Sequence, residues 1–174
     1  MTKDKRQPPP RCENFAALKQ LEGRDVYVSE WMTVDQARID CFALATGDRQ
    51  WIHVDFERAA RSSPFGTTIA HGFLSLALLG KFYEDCLSDL LPFCDVGVNY
   101  GLNKVRFTYP VREGSLVAGR LTLQHAEEID SGVRMTFGYT LEIDGAAKPA
   151  CVAESIVMRQ RAGPVADKDA AKER

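Results

Sequence analysis

The residues best suited to chemistry lie in the segment Gly47-Asp48-Arg49-Gln50-Trp51-Ile52-His53. A carboxylate and an imidazole that converge can hold one water between them, and the imidazole titrates near working pH, so the pair could activate that water. Their spacing does not by itself bring them together. Five positions along a helix turn two side chains about 140° apart, and an odd separation along a strand sends them to opposite faces. Convergence needs an irregular segment, which Gly47 as a helix stop would supply. The same residues also allow a plainer reading, with Asp48 capping the next helix and His53 a partly exposed loop residue.

Two further groups of residues bear on chemistry. His71-Gly72 opens a long apolar segment. The first-turn N–H groups of a helix are unpaired and carry the positive end of its dipole. Gly72 has no side chain, so a ligand carbonyl could approach its N–H closely, as in an oxyanion hole. Close packing at a glycine, with His71 an ordinary buried imidazole, explains the pair equally well. In Tyr100-Gly101-Leu102-Asn103-Lys104-Val105-Arg106-Phe107, Lys104 and Arg106 share one strand face and could meet phosphates, or form a solvated face. His125 has the parity of Leu121 and Leu123 and reads as a strand-end core residue.

The elements that must position these residues follow from periodicity and turn chemistry. A short helix is expected near 13–20, closed by Gly23, followed by a strand over Asp25 to Trp31. Thr33-Val34-Asp35-Gln36 fits a capping box that opens a helix with Val34, Ala37, Ile39, Phe42, Ala43 and Ala45 as packing residues and Gly47 as its C-terminal cap. A second short helix is expected from Asp55 to Arg61, then a loop over Ser62 to Thr68. From His71 to about Leu87 the chain is helical and apolar nearly all round, so this helix should be enclosed on most sides. Beyond it come β-rich runs: Asp95 to Thr108, Leu116 to Ile129, Val133 to Ile143 and Lys148 to Met158. Asp130-Ser131-Gly132 and Asp144-Gly145 read as hairpin turns. The expected class is α+β, a long antiparallel sheet wrapped around a central, mostly apolar helix. Strands and helices do not alternate after residue 90, which argues against a doubly wound α/β fold.

Composition narrows the function. The 174 residues suit one domain over 12–161, with charged or proline-rich tails expected to be disordered at 1–11 and 162–174. Lys plus Arg is 22 against 24 acidic residues, a net charge of −2. That balance leaves no electrostatic footprint for nucleic acid or an anionic membrane. No apolar run reaches the roughly 20 residues that span a bilayer, and the first ten residues lack the apolar core of a secretory signal. The five cysteines are scattered without a C-x-x-C pair, so neither a disulfide framework nor a metal site is expected, and most should be small buried residues. The chain reads as cytoplasmic. Dinucleotide, P-loop and serine-elbow motifs are absent, and no cofactor is expected.

Three ordered motifs carry a resemblance: Phe42-Ala43-Leu44-Ala45-Thr46-Gly47-Asp48, then Ile52-His53-Val54-Asp55, then Ile69-Ala70-His71-Gly72-Phe73-Leu74. Together they resemble the MaoC-like, R-specific enoyl-CoA hydratases. The run Val98 to Phe107 looks most like the NodN-like branch of that group. The resemblance spans roughly residues 14–159 and implies a hot-dog fold, a homodimer with active sites at or near the subunit interface, and addition of water to an enoyl thioester or the reverse dehydration. It implies Asp48 and His53 as the catalytic dyad and Gly72 as the oxyanion position. His71, Asn103, Lys104 and Arg106 are then candidates for binding the substrate, an acyl-CoA or acyl carrier protein thioester. Many relatives carry Asn-Pro where this chain has Gln50-Trp51, so acyl-chain preference stays open. The alternatives on the same fold are a thioesterase and a non-catalytic acyl-CoA-binding protein.

Overall fold

The computed structural model describes residues 7–161; the tail expectations for 1–6 and 162–174 lie outside the described residues. Gln7, within the segment expected to be a tail, exchanges main-chain hydrogen bonds with Val28. The elements in order are α1 (Phe15–Lys19), β1 (Arg24–Val28), β2 (Met32–Val34), α2 (Gln36–Thr46), α3 (Trp51–Val54), α4 (Phe56–Ser62), α5 (Gly72–Leu90), β3 (Val96–Phe107), β4 (Ser115–Ile129), β5 (Gly132–Ile143) and β6 (Cys151–Gln160).

The strands form one antiparallel sheet in the order β1-β4-β5-β6-β3, with β2 also paired to β4. The expected hairpins join β4 to β5 and β5 to β6. Gly132 and Gly145 at these turns have φ of 156° and 74°, the region glycine tolerates best. β6 alternates strictly between buried and half-buried positions, and β5 does so from Val133 to Glu142. Their inward residues meet in register, Met135 opposite Val157, Tyr139 opposite Ala153 and Leu141 opposite Cys151. The buried face of α5, including Leu74, Leu78, Phe82, Cys86 and Leu90, completes this core. The hot-dog arrangement of a curved sheet around one helix is therefore present. Four cysteines are buried, and Cys41 is exposed.

Three local expectations are corrected. The cap of α2 is Asp35, whose carboxylate accepts the Arg38 N–H at 2.9 Å. Thr33 belongs to β2, since pairing of Met32–Val34 with β4 takes precedence over the capping box. Gly47 does end α2, in the left-handed region at φ 79°. His125 is not a core residue. The β4–β5 register shifts between Leu123 and His125, which reverses the parity, puts Ala126 in the core and leaves the His125 side chain 57% exposed beside Glu22. Finally, α5 is enclosed on one side only. Phe73, Ala77 and Gly80 lie on an open stripe next to β3, an edge strand with Val96, Val98, Tyr100 and Leu102 also exposed.

α5 and β4 approach so closely at Gly119 that a Cβ there would overlap the Phe82 ring. Phe82 is fully buried and cannot swing aside without displacing the core. Gly119→Ala should therefore cost about 1–3 kcal/mol, read as a fall in Tm of several degrees, whereas Gly101→Ala, which meets open space, should leave Tm within a degree or two.

Candidate active site

Asp48 and His53 converge because the chain between them is irregular. After Gly47 the segment runs without regular structure until Trp51, where α3 makes a single turn. That short turn is absent from the sequence reading, which placed loop there. Trp51 stands at its start, and the Arg58 guanidinium covers its ring at 4.4 Å. The result brings one ligand atom each from Asp48, His53 and His71 within 4.8 Å of one another. Asp48 is exposed, while His53 and His71 are 6% and 3% exposed.

Main-chain carbonyls orient both imidazoles. His53 Nδ1 lies 2.7 Å from the Ile69 carbonyl, which can only accept, so Nδ1 carries the proton and Nε2 keeps a lone pair. His71 Nε2 lies 2.9 Å from the Asp48 carbonyl, so by the same argument Nε2–H donates there. The other nitrogen of His71, Nδ1, is buried without a partner. The two rings stack with centroids 3.8 Å apart and planes 25° apart. Phe42 packs on His71 at 5.1 Å. Burial pushes the His53 pKa down, His71 adds to that, and the Ile69 contact and the Asp48 charge oppose it.

A second layer fixes the main chain of His53. The Gln36 amide donates to the His53 carbonyl at 2.7 Å, and Thr68 Oγ1 donates to Gln36 Oε1 at 2.5 Å. The Ile69 N–H bonds the Ile52 carbonyl at 3.0 Å. Sequence reasoning missed Gln36 and Thr68 in this role. Gln36 was absorbed into a capping pattern, and no local signal links positions 36, 53 and 68.

Gly72 follows directly and starts α5. Its helix has no side-chain N-cap, since His71 makes no such bond, so the first-turn N–H groups stay available. The Phe107 ring sits against it, and a Cβ on Gly72 would come within 2.9 Å of that ring. Asn103, Lys104 and Arg106 are not part of this cluster. Asn103 and Lys104 bond Glu154 across the strand pair, at 2.7 and 3.2 Å, which holds the Glu154 carboxyl below its usual pKa. Arg106 Nη1 donates to the Val105 carbonyl. One turn of α5 beyond Gly72, a cavity of about 400 Å³ opens between α5 and β3, lined by Leu76, Leu79, Gly80, Tyr100 and Leu102 among others.

The arrangement suits a water better than a metal ion. Asp48, His53 and His71 are the residues that could offer metal ligands, but stacked, nearly parallel imidazoles direct their lone pairs side by side, whereas a tetrahedral ion needs them to meet at one point about 2 Å from each nitrogen. A water shared by Asp48 and the His53 imidazole is compatible with a separation of 4.8 Å or less, each hydrogen bond being about 2.8 Å long.

The MaoC like domain family matches residues 17–143. The chain is 49% identical over 146 residues to 3-hydroxyacyl-thioester dehydratase Z of Mycobacterium tuberculosis (strain H37Rv), covering 83% of this chain and 95% of that protein. It is 43% identical over 156 residues to Nodulation protein N of Rhizobium meliloti (strain 1021), covering 84% and 91%. Among solved structures, the unliganded R-hydratase of Pseudomonas aeruginosa superposes with a TM-score of 0.63 and 26% identity, covering 81% of this chain and 83% of that one.

The contact at the head of α5 is open to test. Gly72→Ala should lower Tm by the equivalent of about 1–3 kcal/mol through its clash with Phe107. Because Phe107 is 45% exposed, adding Phe107→Ala should relieve that clash, so the double variant should be more stable than the sum of the single changes predicts. Simple additivity in thermal denaturation would refute the close contact.

Proposed function

Because the chain belongs to the MaoC-like domain family, we propose that it interconverts (R)-3-hydroxyacyl and trans-2-enoyl thioesters, as a 3-hydroxyacyl-thioester dehydratase and enoyl-CoA hydratase. The observation that carries this reading is the convergence of Asp48 and His53, which bring one ligand atom each within 4.8 Å, close enough to share one water. In the hydration direction, the Gly72 N–H at the positive end of α5 donates to the thioester carbonyl oxygen and so polarises the C2–C3 double bond. His53 Nε2 takes a proton from the water as its oxygen bonds to C3. The Asp48 carboxylate holds the same water, takes over the proton that His53 has removed and returns it to C2. Over one cycle the dyad gains and loses one proton, and the water is divided between C3 and C2.

Burial favours the neutral, proton-accepting form of His53 at working pH. The cavity beside α5 supplies an apolar path for the acyl chain. Lys104 and Arg106 sit on the exposed face beyond Phe107, where carrier phosphates could draw Lys104 from Glu154. Asn103 is the remaining candidate on the substrate side of the reading.

A homodimer and a cytoplasmic location belong to the same proposal. The open edge of β3 and the bare stripe of α5 form a continuous apolar surface, of the kind that marks protein contacts, and a second copy would cover both. The five cysteines are free, which suits a reducing compartment. No helix among the described residues is long and apolar enough to cross a membrane.

The direct test is hydration of crotonyl-CoA, followed as loss of enoyl thioester absorbance. Asp48→Asn and His53→Ala should each lower kcat at least 10²-fold, in line with loss of acid–base catalysis, with folding retained. Failure of the unaltered protein on short, medium and long enoyl-CoA defeats the reading, and release of free thiol from saturated acyl-CoA points to a thioesterase instead.

The pH dependence has a defined sign. A base with a lowered pKa stays deprotonated further into acid, so the acid limb of kcat/KM should fall below the ordinary histidine value of about 6.5. Asp48 raises that pKa, so Asp48→Asn should move the limb of the residual activity lower still. An acid limb above 6.5 in the unaltered protein would contradict His53 as the buried base.

A further inference from the structure

His71 has a place in the site that differs from substrate contact. It is 3% exposed, sandwiched between the His53 and Phe42 rings. Its Nε2–H is committed to the Asp48 carbonyl at 2.9 Å. That bond is the shortest described at Asp48: the Asp48 N–H reaches Thr46 Oγ1 at 3.3 Å, and Asp48 Oδ1 accepts the Gln50 N–H at 3.4 Å. An exposed carboxylate in an irregular segment is thus anchored chiefly from behind, through its own main chain. On its other face the same ring lies 3.8 Å from His53, whose plane is then set by two contacts, the stack and the Nδ1–H bond to Ile69. Its backbone leads directly into Gly72.

We propose that His71 is a positioning residue: it aligns Asp48 and His53 on one water, and ties both to the Gly72 N–H, without touching the substrate. Three features support it. The donor nitrogen already has its acceptor, so it has no hydrogen to offer a thioester. The remaining nitrogen, Nδ1, is buried and unpartnered, so a proton placed there would have no acceptor, and the Nε2–H tautomer is the one the geometry favours. The same ring also stacks on His53, with centroids 3.8 Å apart, so it braces the imidazole as well as the Asp48 main chain. Displacements of about 1 Å at reacting groups cost on the order of 10²-fold in rate, so a residue that sets two such groups at once has large leverage on kcat and little on substrate binding.

This inference rests on the dehydratase reading, and two variants separate its parts. His71→Phe keeps an aromatic ring between Phe42 and His53 but removes the donor to Asp48. His71→Gln keeps an amide donor of similar reach but removes the ring. With crotonyl-CoA, His71→Phe should lower kcat roughly 10- to 100-fold while KM stays within about 2-fold, and His71→Gln should recover part of the lost kcat. Circular dichroism and Tm establish that each variant is folded. A KM that rises with kcat unchanged would make His71 a substrate contact and overturn the proposal, as would a folded His71→Phe with kcat within about 3-fold of the unaltered protein. A readout independent of turnover uses ¹⁵N imidazole spectra of the unaltered protein. They should show Nε2–H at His71 and Nδ1–H at His53. The opposite tautomer at His71 overturns the proposal even if no enoyl thioester is turned over, whereas the expected tautomers in a protein that turns over no enoyl thioester would count against the dehydratase reading alone.

Discussion

The site depends on the short piece of extended chain just before α5. The Ile69 carbonyl accepts His53 Nδ1–H at 2.7 Å, and the Ile69 N–H returns a bond to the Ile52 carbonyl. These two bonds attach the irregular segment after α2 to the strand-like approach of α5, which the Ala70 N–H in turn pins to Val111. Without them, a loop that contains no ladder of its own would have to hold a carboxylate and an imidazole in register from local contacts alone. Gly47 ends α2 by entering the left-handed region, which frees the following residues to turn back. The tie to Ile69 decides where they go.

The rest of the fold is organised to keep that approach fixed. α5 cannot move along its axis, because Phe82 fills the space over Gly119 and the Tyr139 hydroxyl donates to the Ser75 carbonyl at 2.8 Å. At its N-terminal end the Phe107 ring rests on Gly72. The helix start is therefore held from the sheet side by buried packing and from the β3 side by one aromatic contact. The uncovered apolar stripe through Phe73, Ala77 and Gly80 borders both the cavity and the exposed edge of β3. Rigidity is concentrated behind the site, and the open apolar surface lies in front of it.

Much of this was legible in the sequence, and the limits have physical causes. Period-2 runs and the Asp-Gly and Ser-Gly turns marked β4, β5 and β6 because inward and outward residues alternate along much of their length. The apolar run after His71 marked α5. A period cannot report a bulge, however, so His125 was assigned to the core on parity that one extra residue at position 124 reverses. Nor can it report how many sides of a helix are covered, since an apolar stripe facing empty space has the same composition as one facing a sheet. The Asp48 and His53 spacing required irregular backbone but did not specify it. Gln36, Thr68 and the Ile69 carbonyl, which do specify it, lie 17, 15 and 16 residues from His53, beyond any local pattern, and one of them acts only through its main chain.

Asp48 and His53 also differ in the environment each brings to a shared water. His53 is buried, and desolvation favours its neutral form; Asp48 is exposed and keeps its solvation. A pair buried together would raise the cost of carrying charge on either member, and a pair exposed together would lose the electrostatic advantage of a dry site. With the burial divided, the imidazole has a lone pair fixed in direction by a carbonyl, while the Asp48 carboxylate stays at the surface and is held chiefly through its backbone. The His71 ring stacked on His53 supplies contact area to the imidazole and one donated hydrogen bond to the Asp48 carbonyl, so a single side chain braces both members of the pair.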